Sequence, residues 1–305
     1  MEHAAAAPKD MAWVPGGSFR MGSEEFYPEE RPVREVAIDG FWIDVHPVTV
    51  AEFRRFVKAT GHVTVAERTP NRADYPDATP RLLVPGSLVF RPTRGPVDLR
   101  DFRNWWAYMP AACWHSPEGP RSDAYTRARH PVVHVAYEDA EAYAAWAGKA
   151  LPTEAEWERA ARGGLEGKRF AWGDDFAPGD RMMANTWQGE FPWQNLLTDG
   201  FAGTSPVGAF PANGYGLHDM TGNVWEWTCD RFETAPSPSP CCAPAEAGAH
   251  IPRHVIKGGS HLCAPNYCLR YRPAARQAEA VDSSTSHIGF RCVMRRIVEP
   301  RARHL

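Results

Sequence analysis

Residues 257–276 read KGGSHLCAPNYCLRYRPAAR, and the interpretation of the whole chain depends on this stretch. It places Cys263 and Cys268 five positions apart, between a Gly-Gly turn and a run of arginines. The spacing is not the Cys-x-x-Cys of thioredoxin-like proteins, and no second cysteine pair at zinc-finger spacing accompanies it. About 280 further residues, rich in aromatic side chains, Gly and Pro, can build a cleft around such a pair.

The chemistry of two thiolates points to a particular kind of metal ion. Two sulfur ligands alone suit a soft ion of low coordination number, and Cu(I) is the usual one. Zn²⁺ would need two more ligands, and the nearby histidines lie at no recognisable zinc spacing. A buried pair of ordinary thiols, or a structural disulfide, remains open at this point. The arginines that follow would lower the thiol pKa values if they folded back over the pair; they are Arg270, Arg272 and Arg276.

Composition predicts a soluble globular chain. The 305 residues are 43% hydrophobic and 23% charged, which is typical of one large domain or two closely packed ones. A net charge of -3 gives no reason to expect nucleic acid or an anionic membrane as a partner. Twelve Trp, 25 Gly and 28 Pro predict a loop-rich fold with less regular structure than average.

The ends of the chain and its cysteine count suggest a compartment. The first ten residues, MEHAAAAPKD, lack the apolar core of a signal peptide, and no run of about 18 apolar residues follows. Seven cysteines leave at least one unpaired, and a reducing cytoplasm fits best. We expect a disordered segment at 1–10, one catalytic domain at 11–294, and a frayed tail at 295–305.

Local patterns predict several elements. Residues 11–22, MAWVPGGSFRMG, favour a hairpin around the Pro-Gly-Gly sequence, and residues 34–45 alternate as strands. Two capping boxes, Thr49 to Glu52 and Thr153 to Glu156, predict the starts of two helices. The acidic residues of the second helix are interpreted as charges near its first turn, without a catalytic role; they are Glu154, Glu156 and Glu158.

Two other regions carry candidate functional residues. Residues 66–129 are broken by prolines, and the aromatic residues there, Trp105 and Trp106 among them, line a functional surface or fill an irregular core. Oxygen donors are concentrated in two later loops, at 185–201 and at 219–226. Ca²⁺ uses such mixtures of carboxylate, amide and backbone oxygens, although Asp and Asn are also the commonest turn residues.

Four stretches together resemble one family. They are GKALPTEAEWERAARGG (148–164), ANTWQGEFP (184–192), NGYGLHDMTGNVWEWT (213–228) and GGSHLC...YCLRYRPAAR...GFRC (258–292). The chain resembles the formylglycine-generating enzymes, or sulfatase-modifying factors, of prokaryotic type, from about Met11 to Val293. The resemblance implies an α+β fold, a single compact loop-rich domain related to C-type lectins. The cysteine pair, with Tyr267 and Arg270, marks the catalytic subgroup.

The resemblance also implies an activity. A copper-dependent oxidase would convert the cysteine of a Cys-x-Pro-x-Arg motif, in an unfolded sulfatase chain, to Cα-formylglycine with O2 and a thiol reductant. Cys263 and Cys268 would hold Cu(I), and the substrate thiolate would join them. Ser260 and Trp225 match positions beside the oxygen pocket. Trp105 and Trp106 resemble part of the peptide-binding cleft.

Two calcium sites are implied in the same way. The first matches Asn185, Thr186, Asp199 and Phe201, and the second matches Asp219, Gly222, Val224 and Glu226. Asp219 stands where the family usually has Asn. Pro273 and the pair Ala144-Ala145 stand where secreted relatives carry disulfide cysteines, so Cys292 is expected to lack a partner. The roles of the remaining cysteines stay open; they are Cys113, Cys229, Cys241 and Cys242.

Two alternatives compete with this interpretation. One is a non-catalytic, lectin-like binding module of the same superfamily, and the other is an iron-dependent sulfoxide synthase. A binding module has no need of Cys263 and Cys268. A sulfoxide synthase needs a His-rich iron site, usually on an additional helical domain for which this chain has no room. The cysteine pair therefore favours the oxidase.

Overall fold

Strands that lie far apart in the sequence form the sheets of this protein. The computed structural model describes residues 7–233 and 251–295. The strands within these ranges are β1 Met11–Val14, β2 Gly17–Met21, β3 Arg34–Ile38, β4 Phe41–Asp44, β5 Gly86–Phe90, β6 Trp106–Pro110, β7 Trp225–Arg231, β8 Arg253–Lys257, β9 Arg276–Ala280, β10 Ile288–Gly289 and β11 Val293–Arg295. The helices are α1 Val50–Thr60, α2 Tyr137–Trp146 and α3 Glu154–Arg162, with short 3-10 helices between them. The expected α+β fold, a single loop-rich domain, is confirmed.

The sheets are small. The largest in the described ranges has four strands in the order β10-β7-β8-β9, in which β10 runs parallel to β7 and the other pairs are antiparallel. A second sheet has the order β1-β4-β11, and it joins the two ends of the described chain. The pairs β2-β3 and β5-β6 complete the set. Long stretches between these strands belong to no sheet, and turns, single backbone hydrogen bonds and side-chain contacts hold them in place.

The hairpin expected around the Pro-Gly-Gly sequence is wrong. β1 pairs with β4 and β2 pairs with β3, and neither pairs with the other. Val14 lies opposite Phe41 and Gly17 lies opposite Ile38, so a single antiparallel register continues across the break. At the break Gly16 lies so close to Gly40 that an added Cβ would come within 2.6 Å of its backbone nitrogen. The two glycines therefore allow their chain segments to approach closely at the break, where neither segment reverses its direction.

Both helices predicted from capping boxes are present. The Glu52 amide donates to Thr49 Oγ1 at 3.3 Å, while Glu52 Oε2 accepts the Thr49 amide at 2.8 Å. Thr153 and Glu156 form the same reciprocal pair ahead of α3. Left-handed glycines end both helices, at Gly61 with φ 70° and at the corresponding residue after α3. The local sequence therefore determines where these helices begin and end.

A buried ion network fixes α3 against the four-stranded sheet. Lys257 on β8 is fully buried, and its Nζ lies 3.0 Å from Glu158 Oε2 and 3.5 Å from Glu154 Oε1. Glu158 also pairs with Arg162 at 2.7 Å, and Glu154 pairs with Arg276 of β9 at 2.8 Å. Although burial opposes ionisation, Lys257 and Arg162 hold the pKa of Glu158 below its ordinary value. The carboxylates of α3 were expected to act as charges near its first turn. They also link the helix to β8 and β9 through ion pairs.

Three of the segments discussed from the sequence lie outside the residues that the structure describes. The segment with Cys241 and Cys242, the first six residues and residues 296–305 lie outside the described ranges. Within 7–233 and 251–295, the helices are too short or too polar to cross a membrane.

Loss of the Lys257 ammonium should be costly. We expect Lys257→Met to lower the free energy of unfolding by about 3 kcal/mol, because two buried carboxylates lose a shared countercharge. Lys168→Met is the control, since Lys168 and Asp174 form an ion pair whose side chains are 46% and 58% exposed. Its expected effect is under about 1 kcal/mol. Equal losses for the two variants in urea denaturation would show that the buried network is not stabilising.

Glu279 on β9 should make stability depend on pH. Burial raises its pKa to about 7, from an unfolded value near 4.5. The folded state therefore favours the protonated form, and stability falls as pH rises from about 4.5 to about 7. We expect Glu279→Gln to gain about 3 kcal/mol over the parent at pH 8 and nothing at pH 4. Exposed Glu35→Gln is the control, and a pH-independent Glu279→Gln difference would contradict the assignment.

Candidate functional site

The cysteine pair lies on a closed loop between β8 and β9. Gly258 and Gly259 open this loop with φ of 93° and 69°. A Cβ added at Gly259 would lie 2.8 Å from the carbonyl oxygen of Arg270, so only glycine lets the two ends of the loop meet. Inside the loop, the Cys263 amide donates to the Ser260 carbonyl at 2.9 Å, and the Cys268 amide donates to the carbonyl of Ala264 at 2.8 Å.

The two thiols converge on one point. Cys263 Sγ and Cys268 Sγ lie 3.2 Å apart, and the residues are 2% and 1% exposed. This separation is far longer than the ~2.05 Å of a disulfide bond, so the structural-disulfide alternative does not describe this structure. The Ser260 amide lies 3.4 Å from Cys263 Sγ and donates to it. Two reduced sulfur atoms are therefore held side by side inside the protein.

A small cavity lies beside this pair. Its volume is about 10 Å³, which is room for roughly one water-sized molecule. The side chains that line it are Trp105, Trp106, Phe191, Trp225, Ser260, Leu262, Cys263, Tyr267, Cys268 and His287. We call it the dithiol cavity. Four of the sequence-predicted site residues around the sulfurs, Ser260, Trp225, Trp105 and Trp106, thus meet in one place.

Aromatic rings form most of its wall. Phe191 stacks on Tyr267 with ring centroids 4.5 Å apart, and Trp105 meets Tyr267 edge to face at 5.3 Å. Trp105 is 1% exposed and Trp106 is 8% exposed. The sequence left open whether these tryptophans fill an irregular core or line a functional surface. They do both, because they are buried and also line the dithiol cavity.

Two polar groups in the wall can bind a small molecule. The buried Nε1–H of Trp225 has no hydrogen-bond acceptor within 7–233 and 251–295. Ser260 Oγ accepts the Leu262 amide at 3.2 Å, which leaves its hydroxyl hydrogen able to donate elsewhere. Both residues are buried, so each donor acts in a water-poor environment where hydrogen bonds are strong.

His287 was not singled out as a site residue from the sequence. It is buried, and its ring lies 4.8 Å from that of Trp106. Burial, together with His261 and His134, lowers the pKa of His287 well below its ordinary value. Its carbonyl accepts the Trp225 amide at 2.8 Å. No local motif marks His287, because this pairing joins segments over 60 positions apart.

The arginines after the cysteine pair have acidic partners. Arg270 pairs with Glu29, and Arg272 Nη1 donates to Glu30 Oε2 at 2.8 Å. Both guanidinium groups also lie over aromatic rings of the adjacent residues 26 and 27. The loop is therefore anchored to the 3-10 helix Pro28–Glu30, a contact that sequence reasoning missed. The acidic pair before Arg31 was the available signal.

The first predicted calcium set is brought together. Asp199 Oδ2 accepts the Thr186 amide at 3.1 Å, and Oδ1 accepts the Phe201 amide at 2.9 Å. Asn185 Nδ2 donates to the Gly203 carbonyl at 2.9 Å, whereas Asn185 Oδ1 is buried with no partner in the described part of the chain. Gln188 Nε2 also donates to Asp199 Oδ2, at 2.8 Å, and to the Thr186 carbonyl. Amide and carboxylate oxygens are ligands of the kind that Ca²⁺ accepts, and the unpaired Asn185 oxygen is the one most directly available.

The second predicted set is differently arranged. The Glu226 carboxylate accepts Arg291 Nε and Nη2, both at 2.8 Å, and also Trp157 Nε1 at 2.7 Å. Asp219 Oδ2 accepts the Gly208 amide at 2.8 Å. Burial raises the pKa of both Asp219 and Glu226. Because Arg291 already neutralises Glu226, the side-chain donors of this set fit a calcium ion less well than those of the first.

The other cysteines in the described part of the chain are reduced as well. Cys113, Cys229 and Cys292 form no disulfide. Cys292 is fully buried in the same core cluster as Ala144.

Fold and site together define a class: a loop-rich α+β domain with a reduced cysteine pair beside an aromatic-walled cavity. Residues 1–296 match the family described as "Sulfatase-modifying factor enzyme 1-like domain", and the chain belongs to this family.

Individual relatives support this assignment. The formylglycine-generating enzyme of Mycobacterium tuberculosis is 57% identical, over 92% of this chain and 96% of that protein. The Bos taurus protein named inactive Cα-formylglycine-generating enzyme 2 is 39% identical, over 93% of this chain and 87% of that protein. The structure of PvdO from Pseudomonas aeruginosa has a TM-score of 0.61 at 27% identity, and 93% of each chain is covered.

Proposed function

We propose that this protein is a formylglycine-generating oxidase. Its substrate would be an unfolded sulfatase chain, in which the cysteine of a Cys-x-Pro-x-Arg motif becomes Cα-formylglycine. The observation that carries the proposal is the reduced pair Cys263 and Cys268, with sulfurs 3.2 Å apart beside a cavity of about 10 Å³. The name of the 57% identical mycobacterial relative adds independent support.

The reaction balances with one external reductant. The methylene thiol of the substrate side chain becomes an aldehyde and releases hydrogen sulfide, which is a two-electron oxidation at Cβ. Dioxygen accepts four electrons in this scheme, two from the substrate and two from two molecules of a thiol reductant, which become a disulfide. One oxygen atom of dioxygen is balanced by the aldehyde and the other by water. An external thiol is therefore a required partner.

The cysteine pair suits copper. Two sulfur donors converge at the edge of a largely apolar cavity, and soft ligands of this kind select Cu(I) over hard cations. Cys263 and Cys268 would hold the ion, and the bound copper would supply electron transfer to dioxygen. The chain itself contributes the surroundings, in which aromatic rings exclude bulk water and strengthen the electrostatic interactions inside the cavity.

Two groups in the wall of the dithiol cavity can donate hydrogen bonds to a small bound molecule. The Nε1–H of Trp225 and the hydroxyl of Ser260 are donors that a bound oxygen molecule or its reduced forms can accept from. A space of about 10 Å³ holds one small molecule, not part of a folded domain. The substrate cysteine would therefore reach the cysteine pair as part of an extended chain, before the sulfatase folds. Trp105 and Trp106 would form part of the wall beside it.

A binding module without catalysis is the second candidate, because a relative with 39% identity is named inactive. The buried reduced pair favours the oxidase, since recognition alone gives no reason to hold two thiols together in the core. The cytoplasmic location stays a prediction.

Loss of either sulfur should abolish turnover. A Cys-x-Pro-x-Arg peptide, incubated with the protein, Cu(I) and a thiol reductant in air, should yield the aldehyde by mass spectrometry. Cys263→Ala and Cys268→Ala should each lose aldehyde formation and copper binding, because one thiolate cannot retain the ion. Cys229→Ala is the matched control and should keep both, because Cys229 is a free thiol outside the dithiol cavity. Full activity of Cys268→Ala, or X-ray absorption showing copper without sulfur ligands, would refute the assignment.

We also propose that the set Asn185, Thr186, Asp199 and Phe201 binds Ca²⁺ in a structural role. A loop with little regular pairing gains stability from an ion that binds only the folded state. The second set, at 219–226, is proposed as a weaker site because Arg291 occupies its glutamate.

Calcium should therefore raise the melting temperature. At a hundredfold excess over Kd, binding adds about 2.7 kcal/mol of stability, which a chelator should remove. Asn185→Ala should abolish this difference between calcium and chelator in calorimetry. Asn195→Ala is the control, because Asn195 lies in the same loop, outside the predicted set, and its Oδ1 accepts the nearby Leu197 amide at 3.2 Å. Identical melting curves with and without chelator would exclude the structural role.

A further inference from the structure

Three metal-binding side chains lie together outside the dithiol cavity. Glu67 ends the 3-10 helix Val65–Glu67, and Cys113 and His115 lie on the turn that follows β6. One donor atom from each residue lies within 4.8 Å of the others, and His115 Nε2 is 3.3 Å from Glu67 Oε1. A thiol, an imidazole and a carboxylate are thus gathered from two separate segments.

The turn holds the sulfur in position. The Cys113 amide donates to the Ser116 carbonyl at 3.2 Å, and the Ser116 amide donates back to the Cys113 carbonyl at 3.0 Å. Burial raises the pKa of the Cys113 thiol and the charge of Glu67 adds to this effect, whereas the backbone amides of His115 and Ser116 act in the opposite direction.

The other two side chains are oriented by their outer contacts. His115 Nδ1 lies 3.1 Å from Ser116 Oγ, which leaves Nε2 facing the glutamate. Glu67 Oε2 accepts the amide and hydroxyl of Thr64 at 3.0 and 2.6 Å, which leaves Oε1 facing the histidine. Hydrogen bonds of this kind commonly orient metal-binding histidines and carboxylates.

We propose that Cys113, His115 and Glu67 bind one Zn²⁺ ion through Sγ, Nε2 and Oε1, with a fourth position open to water. One sulfur, one nitrogen and one oxygen donor match the ligand preferences of zinc, whereas Ca²⁺ and Mg²⁺ prefer oxygen alone. Zinc bonds of ~2.0–2.3 Å in tetrahedral geometry place donors about 3.3–3.8 Å apart. The side chains of His115 and Glu67 are 39% and 26% exposed, so they are able to rotate inward to that spacing.

The position suggests a structural role. A zinc ion here would join Val65–Glu67 to the turn at 113–116, on either side of the β5–β6 pair in the sequence. The adjacent Trp105 and Trp106, at the start of β6, line the dithiol cavity. The ion would therefore steady the framework that carries this wall without taking part in the oxidation.

Zinc titration tests the proposal directly. The chain with Cys263→Ser, Cys268→Ser, Cys241→Ser and Cys242→Ser, which lacks the other two cysteine pairs, should bind one equivalent of Zn²⁺ in competition with a chromogenic chelator. Adding Cys113→Ser or His115→Ala should weaken that binding at least tenfold. Cys229→Ser is the matched control, because Cys229 is a reduced, half-buried thiol elsewhere, and it should have no effect. Co²⁺ should give a sulfur charge-transfer band that Cys113→Ser removes.

Two results would overturn the proposal: no stoichiometric zinc binding, or binding that neither Cys113→Ser nor His115→Ala weakens. His115→Ala decides the matter if Cys113→Ser fails to fold, because His115 is partly exposed. Aldehyde formation by Cys113→Ser is measured separately, so failure of the zinc site and failure of the oxidase assignment are distinguishable.

Discussion

The structure depends on the buried ion pair between Arg291 and Glu226. Both residues are inaccessible to solvent, and the guanidinium binds the carboxylate through two nitrogens. Arg291 also donates to the carbonyls of Asp44 and His218, at 3.2 and 2.9 Å, and Glu226 accepts the indole of Trp157. One ion pair thus links β4, β7, α3 and the loop before β7. The cost of desolvating two charges is offset by this full set of hydrogen bonds.

Local rules predicted local structure well. The capping boxes at Thr49 and Thr153 placed the starts of α1 and α3, because a cap involves only residues within one turn. The hairpin around Pro15 was wrong for the opposite reason. Its strands are paired with residues 13 to 33 positions away, and the turn chemistry of a Pro-Gly-Gly sequence does not show which partner a strand will pair with.

The sequence predicted the part of the site that lies within one local motif, and not the contacts that distant residues make to it. The loop with Cys263 and Cys268 is local, and the conformation of a short segment brings the sulfurs together. The partners of Arg270 and Arg272 lie about 240 positions earlier in the chain, and the buried network of Lys257 reaches back about 100 positions. Contacts of such sequence separation follow from the whole fold, so neither composition nor periodicity reveals them.

The contacts that close the cysteine loop determine which substitutions the loop can tolerate. Gly259 packs against the backbone of Arg270, and the arginine anchors hold the loop from outside, so its closure does not require the sulfur atoms. The residues that close the loop are therefore not the residues that carry its thiols. Both cysteines can be exchanged for small side chains while the glycine and arginine contacts that close the loop are retained.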